Sequence, residues 1–253
     1  MDITSIQSKV MLSSVTISTW VARRFDGKVT QEVEIVPGTQ SRRLDTCLVR
    51  YILKNMDNRA HRVGIRFMLD TYIGANDGVP FTIPGASDLC DTKMKFDTAA
   101  KVPDFIQALE KDDLRNPGTV AYLQFRIGKN VESPERVLLG GWPNPELQKI
   151  GIRTARAQLT GWEVPFISIK ERVKDRVAND SAVTMYWKEQ TLEPGKTRTV
   201  GFTYGLGNVD ARESGGHLLL TVGGRLVRHG EFTLTALVHD PKLLRQPYAS
   251  TSK

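Results

Sequence analysis

The sequence predicts an all-β protein, a large antiparallel β-sandwich of supersandwich type with one or two short helices set in long loops. Three observations predict it. Apolar and polar residues alternate with period two along most of the chain, the pattern of half-buried strands. Turn-forming stretches such as Pro37-Gly38 and Pro194-Gly195 separate the alternating runs. No strand–helix–strand rhythm appears, which disfavours a parallel α/β sheet.

The elements follow in order. Val15, Ile17 and Val21 share one face of an early segment. Val29, Gln31, Val33 and Ile35 alternate with Thr30, Glu32 and Glu34, and Pro37-Gly38 closes that strand. Cys47, Val49, Tyr51 and Leu53 form the next apolar row, and Val63, Ile65, Phe67 and Leu69 the one after. The residues between these two rows, Asn55 to Arg59, read as the turn of a long hairpin. Val120 to Ile127, Ala182 to Trp187, Arg198 to Tyr204, His217 to Val222 and Phe232 to Val238 repeat the theme. Pro103-Asp104 is expected to open a short helix carrying Phe105, Ile106 and Leu109, with Asn116-Pro117-Gly118 as its stop. A second helix is expected over Pro145 to Ala157. The spans 70–118 and 128–180 read as loops, and loops of such length are commonly functional.

Composition narrows the class. The chain has 253 residues, 40% hydrophobic and 25% charged, which suits a globular protein with a sizeable core. Lys and Arg exceed Asp and Glu by 35 to 28, a net charge of +7. That excess is dispersed rather than gathered into a stripe, so no nucleic-acid partner is expected. No apolar run approaches the roughly 20 residues of a spanning helix, and the first residues lack the pattern of a secretory signal. Two cysteines cannot build a disulfide framework. Cys47, set in a strand pattern, reads as a buried inert thiol, with a Cys47–Cys90 pair as the alternative.

Few motifs carry chemistry. Asp70, Asn76 and Asp77 offer hard oxygen ligands of the kind calcium takes, although their spacing departs from the EF-hand pattern. The same Asn76-Asp77-Gly78 run is also turn chemistry, and the turn is the preferred reading. No other cofactor is indicated. Trp142, in Gly-Gly-Trp-Pro, and Trp162, in Gly-Trp-Glu-Val-Pro, sit in loop sequence. A loop Trp either stacks on a sugar ring or partner, or folds down on the core. Trp142, Trp162 and Glu163 are therefore the ligand-binding candidates. The histidines 61, 217, 229 and 239 show no zinc spacing. No nucleophile elbow or Walker loop is present.

Two segments carry a resemblance. One runs from Val63 through Asp70-Thr71-Tyr72-Ile73-Gly74-Ala75-Asn76-Asp77-Gly78 to Phe81. The other runs from Ala182 through Trp187 and Glu193-Pro194-Gly195-Lys196 to Tyr204-Gly205-Leu206-Gly207. Together they resemble uncharacterised β-rich domains of bacterial envelope or surface proteins. The pattern is also loosely similar to the galactose-mutarotase-like supersandwich of carbohydrate-active proteins. Mutarotase-like enzymes use a His and a carboxylate as acid and base, and no motif here places that pair. The segment from Gly230 to Pro241 resembles the opening strand of an immunoglobulin-like repeat. The expected organisation is a β-sandwich over 1–229, followed over 230–253 by a final strand and tail, which either start a truncated immunoglobulin-like repeat or complete the sandwich.

These readings converge on two expectations. The preferred one is a non-catalytic structural or interaction module of a larger, extracytoplasmic, envelope-associated protein with a protein or glycan partner. The other is a carbohydrate-binding or carbohydrate-processing domain with its site in the 70–118 and 128–181 loops.

Overall fold

The computed structural model describes residues 3–12, 15–22, 26–86, 88–128, 130–143, 161–173, 176–207, 218–223 and 233–238. They form strands only. In chain order these are β1 (Ile3–Leu12), β2 (Val15–Ala22), β3 (Gly27–Val36), β4 (Thr46–Asn55), β5 (His61–Asp70), β6 (Phe81–Thr82), β7 (Met94–Phe96) and β8 (Phe105–Leu109). Then follow β9 (Val120–Gln124), β10 (Arg136–Gly141), β11 (Lys170–Val173), β12 (Arg176–Asn179), β13 (Ser181–Leu192), β14 (Thr197–Leu206), β15 (Leu218–Gly223) and β16 (Thr233–Val238). No helix among the described residues is long and apolar enough to cross a membrane.

An eight-stranded sheet runs β1-β2-β3-β4-β14-β9-β8-β6, and a four-stranded sheet runs β5-β13-β10-β7. Their facing sides make the core, as the period-two pattern requires. Val29, Tyr51, Leu53, Val200 and Phe202 from the larger sheet meet Val63, Val137, Leu139, Val183, Met185 and Trp187 from the smaller one. Phe67 of β5 joins the two layers, its ring 5.0 Å from Phe202 and 5.6 Å from Tyr51. On the other side of β4, Arg50 bridges to Glu32 and Glu34 of β3 at 3.0 Å each. This is the cross-strand pairing the polar half of the pattern implies.

The expected hairpin across Asn55–Arg59 is not formed. β4 pairs with β3 and β14, whereas β5 pairs with β13. The chain therefore changes sheets at this point, and it changes back between β13 and β14. Asn55 explains the departure. Fully buried, its Nδ2 donates to Arg59 O at 2.7 Å and to Leu192 O at 2.8 Å. Its Oδ1 accepts from Asp57 N at 2.9 Å. Its backbone receives Gly195 N and donates to Lys196 O. One amide thus ties both corners together. Gly195 takes the positive φ of 71° that the second corner needs. Beside it the buried Arg198 of β14 donates to Val63 O at 2.8 Å and Lys188 O at 2.6 Å, and its Nε donates to Glu132 Oε2 at 3.0 Å.

The helix expected from Pro103 is instead strand β8, paired with β6 and β9. All five of its residues are buried. A surface helix of this length buries one stripe, whereas a strand covered on both faces buries every side chain. A short continuous apolar run cannot distinguish the two by period. The span 70–118, read as a loop, also holds β6 and β7. The second expected helix, Pro145 to Ala157, lies outside the described residues. Both cysteines are free; Cys90 is buried but Cys47 only half-buried, because its row of the larger sheet runs out to the exposed Ile35. At the far end of the chain β16 pairs with β15 in a separate two-stranded sheet.

Replacing Asn55 with Ala leaves Arg59 O and Leu192 O without their donor. The expected loss is about 2–3 kcal/mol of unfolding free energy, read from urea midpoints. The exposed neighbour variant Met56→Ala should change it by no more than about 0.5 kcal/mol.

Candidate functional site

The outer face of the four-stranded sheet carries the site. A cross-strand row runs Arg66–Tyr186–Arg136 over β5, β13 and β10. Residues 161–169 lie across this face. Three glycines make room for them. A Cβ on Gly64 would stand 3.0 Å from Trp162 Cη2 and 2.9 Å from the backbone at Trp187 and Glu189. A Cβ on Gly140 would stand 2.7 Å from Ile167 O, and one on Gly141 would collide with Ser168 O. Gly141 N donates to Ile167 O at 3.0 Å. Val164 and Phe166 pack on Leu138, Tyr186 and Met68.

At one end of this segment the Trp162 ring stands edge-on to Tyr186, 5.6 Å between centroids and 70° between planes. The Arg136 guanidinium lies 3.7 Å over the same Tyr186 ring. Its NH2 group donates to Glu163 Oε2 at 2.7 Å. Trp162 nonetheless remains 41% exposed. The result is an aromatic surface held in one orientation, with a guanidinium–carboxylate pair at its side.

At the other end three carboxylates converge. Asp70 closes β5, Asp180 immediately precedes β13, and Asp77 comes from the intervening loop. Their oxygens lie within 4.8 Å of one another. The scaffold beneath them is a buried hydroxyl pair. Ser181 Oγ and Thr71 Oγ1 are 2.6 Å apart. Ser181 Oγ accepts Val79 N at 3.0 Å and donates to Asp77 O at 2.9 Å, while Thr71 N donates to Ser181 O. The Trp142 backbone is tied in as well, N donating to Asp180 O at 3.1 Å.

Burial, followed by the charges of Asp77 and then Asp70, pushes the Asp180 carboxyl up to about 7. Burial and the neighbouring Asp77 also raise Asp70. Asp180 Oδ1 is enclosed without a hydrogen-bond partner. The three carboxylates, one of Asp180's oxygens among them unsatisfied, offer hard oxygens of the kind calcium takes.

The sequence-predicted residues fall into two groups. Asp70 and Asp77 meet, but the Asn76 amide is engaged elsewhere: Nδ2 donates to Glu110 O, just after β8, at 2.8 Å, and Oδ1 accepts Gly78 N at 3.0 Å. The positive φ in this turn belongs to Gly74, at 61°, rather than Gly78. Trp162 and Glu163 share one end of the face, and the half-buried Trp142 occupies the other. Asp180 escaped the sequence reading, since only the β5–β13 register sets it beside Asp70. Of the histidines, His61 faces Asp57 at 2.7 Å on the sheet-to-sheet corner, and the other three lie outside the described residues.

No protein-family model matches the chain, and no curated protein matches it. Solved structures align with part or most of it. A candidate aldose 1-epimerase from Escherichia coli K12 is 10% identical, with a TM-score of 0.44, covering 79% of this chain and 67% of its own. A galactose mutarotase related enzyme from Lactobacillus acidophilus is 8% identical, with a TM-score of 0.42, covering 81% and 71%. A heparan sulfate lyase mutant from Pedobacter heparinus is 9% identical, with a TM-score of 0.35; 94% of this chain aligns to 28% of the lyase. The protein itself is an antiparallel β-sandwich, as its two packed sheets show.

The raised Asp180 carboxyl sets a pH dependence. A group whose folded pKa lies above its unfolded value binds a proton on folding, so its contribution is complete below pH ~4 and lost as pH rises through about 7. Asp180→Asn removes that titration. Its melting temperature should fall less than that of the parent between these limits, as measured by parallel thermal scans across pH.

Proposed function

We propose that this chain is a carbohydrate-binding interaction module, with its ligand on the outer face of the smaller sheet. The observation that carries this reading is the exposed Trp162 ring, fixed edge-on to Tyr186 and flanked by the Arg136–Glu163 pair. A rigid aromatic face stacks on the apolar side of a sugar ring at little entropic cost. The adjacent guanidinium donates to sugar hydroxyls and the carboxylate accepts from them. Glu163 is well placed for that second role, its side chain being 64% exposed while still held by Arg136. The reading implies an extracytoplasmic setting, as part of a larger envelope-associated protein.

A second role is favoured by the acidic end. Asp70, Asp77 and Asp180 form a set that would hold calcium, and the enclosed, unpartnered Asp180 Oδ1 gives the ion a ready ligand. Such an ion would offset the mutual repulsion of the three carboxylates and fix the 71–80 loop. Because a cation must displace the proton from Asp180, calcium should stabilise more above pH about 7 than below it.

A thermal-shift screen of a glycan panel, with calcium and EDTA arms, tests both. A ligand that binds only the folded chain raises its midpoint by mass action. The expected result is a sugar-dependent rise that Trp162→Ala abolishes. A calcium-dependent rise, lost in Asp180→Asn, is expected separately. A panel in which no sugar moves the midpoint would overturn the carbohydrate reading and leave the non-catalytic structural module in its place.

A further inference from the structure

We propose that the ligand of this face is an extended glycan chain several sugar rings long, lying along residues 161–169 from Trp162 to the Trp142–Asp180 end. This rests on the carbohydrate-binding reading above and adds the form of the ligand.

The placement of the two tryptophans carries it. Trp162 lies over Gly64, next to the backbone of Trp187 and Glu189 on β13. Trp142 N donates to the backbone oxygen of Asp180, just before the opposite end of the same strand. From Asp180 to Trp187 a strand spans about 23 Å at the usual rise of ~3.3 Å per residue. A single sugar ring cannot reach both ends, whereas a chain can. Trp142 also follows β10 by one residue, in step with the alternation of Leu138 and Gly140. This row faces the 161–169 segment, through Leu138 against Val164 and Phe166 and through Gly140 against Ile167. The two aromatics therefore belong to one face.

The chemistry along the path is consistent. At one end Trp162 adjoins Glu163 in sequence, and at the other the Trp142 backbone is bonded to that of Asp180. Between them lie the half-buried Pro165, Phe166 and Ile167, with the Lys93 ammonium 5.1 Å over the Phe166 ring, a cation that donates to sugar hydroxyls. A ligand anchored at one end meets the other at high effective concentration, so affinity should climb with chain length until both ends are engaged.

The test is calorimetric titration of the full chain with gluco- and chito-oligosaccharide ladders, from monosaccharide to hexasaccharide. The hexasaccharide of the preferred ladder should bind at least about tenfold more tightly than its monosaccharide. Trp162→Ala and Trp142→Ala should each cost the hexasaccharide about tenfold, and Trp162→Phe should restore most of the loss. Circular dichroism of each variant separates a lost contact from a lost fold. A monosaccharide that binds as tightly as the hexasaccharide would overturn the extended-chain proposal while leaving carbohydrate binding intact. So would hexasaccharide binding that ignores one of the two tryptophans in a folded variant. Failure of every member of both ladders to bind would overturn both.

Discussion

The buried amide of Asn55 is the contact on which the arrangement of the two sheets depends. Two long strand pairs, β4 with β14 and β5 with β13, lie in different layers, and the chain crosses between layers at both of their junctions. Each crossing exposes backbone groups that the sheet ladders no longer satisfy, and buried backbone groups must find partners. Asn55 supplies them to both crossings at once, with donors to Arg59 and Leu192 and an acceptor to Asp57. Arg198 does the same one turn further in, linking β14 to carbonyls of β5 and β13. Within the smaller sheet the β5–β13 register then brings Asp180 towards Asp70, and the β10–β13 register sets Arg136 opposite Tyr186.

The outer face of the smaller sheet shows how a sheet surface becomes a binding surface. Its middle is covered by the chain's own 161–169 segment, admitted by glycines at 64, 140 and 141. That cover leaves only the two ends open. One end is aromatic and held by a cation–π contact. The other gathers three carboxylates over a satisfied hydroxyl scaffold. The scaffold matters to the electrostatics, because Ser181 and Thr71 anchor the backbone beside Asp180, whose carboxyl is raised first by burial and then by the charges of Asp77 and Asp70. An unconstrained loop would relieve the repulsion by moving apart.

Much of the fold was legible because the relevant signal is local. Val63, Ile65, Phe67 and Leu69 alternate, and their strand buries that face. Gly195 follows a proline and makes the turn. The Trp162–Glu163 candidate could be named from loop sequence alone. Other features were not legible for equally physical reasons. Phe105 to Leu109 is apolar throughout, so its period names neither helix nor strand. Asn55 to Arg59 has hairpin composition, and nothing local reveals that the following strand joins the opposite sheet. Asn76 looks like an oxygen ligand until its amide is seen bonded to Glu110 and Gly78.

The sequence by itself determined the class: an all-β chain whose alternating faces demand two packed sheets, with Trp142, Trp162 and Asp77 in the connections. It did so because side-chain alternation is a property of the backbone period and needs no long-range information. Tertiary structure alone decided the sheet order, the crossing at Asn55, the meeting of Asp180 with Asp70 and Asp77, and the placing of Trp162 and Trp142 at opposite ends of one face. Those facts are contacts between residues far apart in the chain. They are selected by joint burial and hydrogen-bond satisfaction rather than by any local preference.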